Sequence, residues 1–208
     1  MQRTMSIGLG SLVLASMITA LCGSNVSAAP SNRIEFDMGP SQTAINASCL
    51  RNASGHVLVK SQGPVETMNV SLSGLPPNTD FDFFVIQHPD GPFGMSWYQG
   101  DINTDDEGNG EGRFIGRFSI ETFIVAPGSV SAPQPHGVKD AASNPATLPV
   151  HTYHLGLWFN SPTDAAAAGC PGNTTPFNGD HTAGVQALST RDVNPDDPDN
   201  GPLRQLNP

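Results

Sequence analysis

The sequence predicts an all-β fold, an antiparallel β-sandwich of about seven to nine strands with one short helix. Three observations predict it. Glycine and proline, 22 and 19 of 208 residues, punctuate the chain too often for long helices. Several segments alternate apolar and polar residues with period two, as half-buried strands do. Clusters of Gly, Pro, Asn and Asp separate those segments. No internal repeat of fixed period is visible, and residues 29–208 are read as a single domain.

The chain opens with Arg3 in a short polar start, an apolar run from Ile7 to Leu21 and small residues at Ser27 and Ala28. That layout predicts a secretory signal peptide over residues 1–28, too short in its apolar part for a membrane span. "RIEFDM" then sets Ile34, Phe36 and Met38 against Arg33, Glu35 and Asp37, a strand. "AINASCL" and "HVLVK" read as further strands, the first carrying Cys49 inward with Ile45 and Ala47. "ETMNVSLSGL" alternates Met68, Val70 and Leu72 with Thr67, Asn69 and Ser71. Gly74 to Asp80 forms a turn cluster, and Phe81 to Gln87, apolar on nearly both faces, a strand central in its sheet.

"MSWYQGDI" is the incoming strand of a hairpin whose turn is "TDDEGNGEG". Its return strand alternates Phe114, Phe118, Ile120 and Ile124 with Arg113, Arg117, Ser119 and Glu121. Residues 126–150 hold five prolines and no period, a long surface loop. "VHTYHLGLWF" follows as a strand. In "SPTDAAAAGCP", Ser161 caps, Pro162 takes the first helical position, Asp164 suits the first turn and Gly169 stops a helix of about two turns. "AGVQALST" is the last main strand, and 191–208 a polar tail.

The strand followed by Gly-Leu-Pro-Pro-Asn-Thr and an aromatic strand, Gly74 to Phe84, resembles the inter-strand turn of fibronectin-III-like and Ig-like sandwich domains of secreted bacterial proteins. The hairpin at "TDDEGNGEG" is similar to turns of the same domains. The resemblance implies architecture and export, with no activity attached.

Composition narrows the partners. A formal charge of −10, one unit more negative once Arg3 leaves with the signal, and the absence of any Lys/Arg cluster exclude nucleic acid and disfavour anionic membranes. The mature chain retains Cys49 and Cys170, an even count that predicts one long-range disulfide in an oxidising compartment. By chain entropy that bridge is worth about 4 to 5 kcal/mol.

Candidate chemistry is sparse. In an extended strand His151 shares a face with Tyr153, Leu155, Leu157 and Phe159, and His154 takes the other with Thr152, Gly156 and Trp158. The two cannot hold one metal from a regular strand; a site would recruit His136 or His181. Asp101, Asn103 and Asp105 resemble the start of a calcium loop, but Asp106 and Gly112 stand where its glycine and bidentate acid belong. Trp97, Tyr98 and Phe93 form a glycine-flanked aromatic group suited to stacking on a sugar or anchoring a protein. No nucleophile elbow or phosphate-cradling loop occurs, so no catalytic residue is assigned. The expectation is a secreted, disulfide-linked, non-catalytic binding or structural module for a protein or carbohydrate, without a cofactor. The alternative is a metal-binding protein or metalloenzyme using zinc or copper on the histidines, or calcium on the acidic turn.

Overall fold

The computed structural model describes residues 31–119, 123–124, 150–191 and 200–207. The predicted signal segment 1–28, His136, Ile120, most of the predicted 126–150 loop and residues 192–199 of the tail lie outside the described residues. The all-β expectation holds. In chain order the strands are β1 (Arg33–Pro40), β2 (Ser54–Ser61), β3 (Glu66–Ser73), β4 (Asp80–Ile86), β5 (Ser96–Asn103), β6 (Gly110–Gly116), β7 (Phe123–Ile124), β8 (Val150–His151), β9 (His154–Phe159) and β10 (Gln186–Ser189).

Eight of these follow one hydrogen-bonded order, β5-β4-β9-β10-β1-β2-β3-β6, with antiparallel pairing throughout. β1 belongs to both halves of that order. Arg33 to Met38 pair with β2, while Gly39 and Pro40 pair with β10. The inner faces of the two halves meet in one core: Met38, Val57, Val59, Met68 and Val70 from one, and Phe81, Phe83, Leu155, Leu157 and Phe159 from the other. The outermost strands, β5 and β6, are consecutive and joined by the turn predicted at "TDDEGNG". That turn is laced to the Gly-Leu-Pro-Pro-Asn-Thr turn. Leu75 N donates to Gly108 O, Asn78 N to Asp105 O, and Thr104 Oγ1 to Pro76 O at 2.6 Å. At Gly108, whose φ is +79°, an added Cβ would lie 2.1 Å from the Leu75 carbonyl oxygen, so this close approach requires glycine.

β4 is an interior strand between β5 and β9, second from the edge rather than central as its composition predicts, and is covered on both faces. Phe81, Phe83 and Val85 face the main core; Phe84 and Ile86 face outward into a second cluster with Trp158, Phe93 and Phe177. Two loops supply that outer layer. The 87–95 loop is pinned by Gln186 Nε2 and Ser189 Oγ, both donating to Pro89 O, which sets Phe93 edge-on against Trp158. The loop after Cys170 brings Phe177 flat onto Trp158, centroids 4.1 Å apart.

The structure departs from the sequence reading in several places. The predicted hairpin at "TDDEGNGEG" is not a paired one: beyond a single bridge between Thr104 and Gly110, β5 pairs with β4 and β6 with β3. "AINASCL" is helical, not extended: α1 spans Gln42–Ala47, so there are two short helices rather than one, with a 3-10 turn at Pro202–Gln205 besides. Ser41 accepts from Ala44 N, Ser48 closes the helix with φ 58°, and Ile45 is left 45 % exposed rather than in the core. "HVLVK" expands to the eight residues of β2. "VHTYHLGLWF" is two strands, because Val150 and His151 pair with β7 while His154 to Phe159 insert between β4 and β10. The end of the polar tail is also docked, with Leu203 and Leu206 buried and Asn207 N donating to Ser31 O.

α2 (Pro162–Ala167) forms as predicted, with Ser161 Oγ accepting from Asp164 N. Cys49 follows the left-handed Ser48, and Cys170 the left-handed Gly169 (φ +75°), so each short helix ends by presenting a cysteine. The two form the disulfide, spanning 121 residues with Cα atoms 5.6 Å apart. Replacing both by alanine should lower the unfolding free energy by about 4 to 5 kcal/mol. Urea titration of oxidised wild type against the double variant measures it; equal midpoints would contradict the loop-closure account.

Candidate ligand-binding site

Beyond the second aromatic cluster, the outer face of β4 opens into a cleft of about 440 Å³. It is lined by Asp82 and Phe84 of β4, Tyr98 and Asp101 of β5, Asn160, and the loop Pro176, Asn178, Gly179 and Asp180. Alternation puts Asp80, Asp82 and Phe84 on one face of β4. Register sets Asp82 opposite Asp101 on one side and Trp158 on the other.

A β-bulge completes the wall. Tyr98 and Asp101 are three apart and would face opposite ways in a regular strand. The register shift at Phe83/Phe84 skips Gln99, so Tyr98 pairs with Phe84, Gly100 with Phe83 and Asp101 with Asp82. Both side chains therefore reach the cleft, and Tyr98 Oη donates to Asp101 Oδ1 at 2.5 Å. Gly100 carries the bulge with φ +151°, its Hα side against Phe114, where a Cβ would sit 3.0 Å from the ring.

The facing loop is held by Asn178. Its Nδ2 donates to Asn160 O and Oδ1, and its Oδ1 accepts from Thr182 N. Asn160 Nδ2 in turn donates to Asp80 Oδ2 at 3.1 Å. The amide donors of the cleft are thus already engaged within the protein.

The carboxylates are not so provided. Asp82 is 3 % exposed, and its Oδ2 has no hydrogen-bond partner among the described residues. Burial, then the charges of Asp101 and Asp80, push this carboxyl up to about 7. Asp80 is raised by burial and by Asp101. The Tyr98 hydroxyl is also raised, by burial first and then by its bond to Asp101.

The residues singled out in the sequence are placed as follows. Trp97 and Tyr98 are 61 % and 47 % exposed, and of the two Tyr98 lines the cleft. Phe93 packs into the outer aromatic cluster against Trp158 and Phe177. Asp101 belongs to the cleft. Asn103 pairs with Asp80 at the end of β5. Asp105 Oδ1 accepts from Glu107 N and Asn109 N within the turn, where Asp105, Asp106 and Glu107 gather on the exposed surface. His154 is buried with Nδ1 3.0 Å from Thr190 Oγ1, and His151 stacks on Tyr153. Among the described residues His151, His154 and His181 enter no group of three metal-capable side chains. Asp82, Asn160, Asn178 and Asp180 escaped the sequence reading. The available signals were a lone aspartate inside the apolar run Phe81 to Ile86 and a glycine inside the β5 alternation.

No family model and no curated protein matches the chain. No helix of the described residues is long and apolar enough to cross a membrane.

The folded Asp82 carboxyl keeps its proton up to about pH 7, whereas the unfolded one releases it near 3.8. Between those values the folded state binds more protons, so stability falls as pH rises through the window. Asp82→Asn should flatten that slope and raise Tm above neutral pH by about 2 to 4 °C, the response of a domain this size to about 1 kcal/mol. Scanning calorimetry of both proteins across the window measures it; parallel profiles would show that Asp82 is not the group responsible.

Proposed function

We propose that the chain is an exported, non-catalytic binding module. In this reading residues 1–28 direct export as a signal peptide, and residues 29–208 form a fibronectin-III/Ig-like domain stapled by Cys49–Cys170. The disulfide and the all-β fold are compatible with it.

The observation that carries the reading is Asp82. A carboxyl buried among like charges, with one oxygen unsatisfied, lowers stability, and an asparagine of the same shape would serve the fold better. Such a group is retained where a ligand uses it. Around it stand Phe84 and Tyr98 and a loop anchored by Asn178 through its bond to Asn160. Protein and carbohydrate ligands alike can pack on the exposed face of Tyr98.

The test is retention on an immobilised panel spanning polysaccharides, basic peptides and small amines. Wild type should be held by at least one member, and Tyr98→Ala should be released at least tenfold faster with unchanged Tm and circular dichroism, a loss of at least about 1.4 kcal/mol. Trp97→Ala, outside the cleft lining, should have the smaller effect. Equal retention of wild type and Tyr98→Ala on every member would remove the cleft from recognition.

A further inference from the structure

We propose that the cleft is a binding site for an organic cation, an ammonium or guanidinium group, held by Asp82, Asp101 and Asp180 with Phe84 and Tyr98 as its aromatic walls. The inference deepens the binding-module reading and rests on it.

The hydrogen-bond inventory of the cleft points to this class. Its donors are spent: Asn160 Nδ2 on Asp80, Asn178 Nδ2 on Asn160, and the Tyr98 hydroxyl on Asp101. Its acceptors are in surplus, chief among them the buried Oδ2 of Asp82, which has no donor among the described residues. A ligand that only donates matches such a site, and ammonium and guanidinium are the groups that donate without accepting. A sugar hydroxyl brings acceptors that find no free donor among the lining side chains; the one unpaired donor beside them, Trp158 Nε1, is fully buried and outside that lining.

Charge agrees. Three of the nine lining residues are aspartates and none is basic. Asp80 on β4 adds to the negative field at Asp82, and Asp164 on α2 to that at Asp80. The groups facing Asp82 are Asp80 on its own strand, Asp101 and Tyr98 from β5, and Trp158 from β9. No described cation neutralises them there. A cation entering the cleft would ionise Asp82 and release its proton, so affinity should fall with acidity.

The walls select an organic ion over a metal. The rings of Phe84 and Tyr98 lie 5.4 Å apart at 58°, offering π faces for a cation beside the carboxylates. A cleft of about 440 Å³ has room for several heavy atoms besides the charged one, where a bare divalent ion would leave its coordination unfilled.

Isothermal titration of the full exported chain tests this, with benzylamine and agmatine as cations, benzyl alcohol as the neutral match to benzylamine, and methyl glucoside and calcium chloride as the competing classes. At about pH 8 an amine should bind saturably and benzyl alcohol should not. Asp82→Asn, whose Tm should not fall, and, independently, the exposed Asp101→Asn, with Tm kept, should each weaken the amine at least tenfold, and wild-type affinity should fall at least tenfold at about pH 5.5. Benzyl alcohol binding as tightly as benzylamine, or amine binding indifferent to both substitutions, would overturn the assignment. Glucoside binding lost in Asp82→Asn would overturn the cation and leave the binding-module reading standing. Calcium bound in place of the amines would overturn the organic class. If neither amine binds at millimolar concentration the inference fails, and the immobilised panel then decides the broader reading separately.

Discussion

The structure turns on the burial of β4 from both sides. A strand with Phe81, Phe83 and Val85 on one face and Phe84 and Ile86 on the other cannot leave either to water. The inner face is served by β1, β2 and β3. The outer face requires a second layer, and the chain supplies it with two loops that carry Phe93 and Phe177 onto Trp158. Gly156 makes room for this arrangement: an added Cβ would lie 2.4 Å from the Trp158 ring. Once those loops are pinned, the first through Pro89 to Gln186 and Ser189 and the second through Asn178 to Asn160, the polar end of the same β4 face, Asp80 and Asp82, sits at the bottom of the space they leave. The cleft is a by-product of covering a hydrophobic strand, and its chemistry is set by the two residues of that strand that are not hydrophobic.

Much of the fold is legible in the sequence because the signals are local. β1 and β3 show clean alternation; α2 carries a cap, a first-position proline and a stop glycine in the expected order; the two cysteines beyond the predicted signal segment have one way to pair. Where the reading errs, two local signals compete. "AINASCL" alternates well enough for a strand, but Ser41 three residues before it is a helix cap, and the cap prevails because its hydroxyl also donates to Gln186 O in the core. "VHTYHLGLWF" is uniform in composition, and only the identity of its neighbours divides it at Thr152 and Tyr153.

The site is much less legible than the fold. Tyr98 and Asp101 stand out as residue types, but their spacing places them on opposite faces until the bulge at Gln99 is known, and a bulge is a property of pairing with β4 rather than of β5 alone. Asp82 is hidden for a different reason: period-two reasoning absorbs one polar residue in an apolar strand without complaint. Asn160 and Asn178, which aim the facing loop, are far apart in sequence and near only after β9 and the 171–184 segment have been placed. Fold signals are additive over neighbours, whereas a site is a coincidence of distant residues.

The way the two ends of the domain meet has a consequence in time. β1, the first strand, shares its hydrogen bonds between β2 and β10, and Ser31 bridges to Leu206, which is buried. Half the frame therefore waits on β10 and the segment around Leu206, more than 140 residues after β1 in sequence. Until they arrive, the nascent chain has no complete partner for β1 and no Cys170 for Cys49, and it cannot close into its native state. A chain arranged this way cannot close piecemeal: β1 is fixed on both sides only when β10 is in place, and the helix ends are tied together only when Cys49 and Cys170 meet an oxidant.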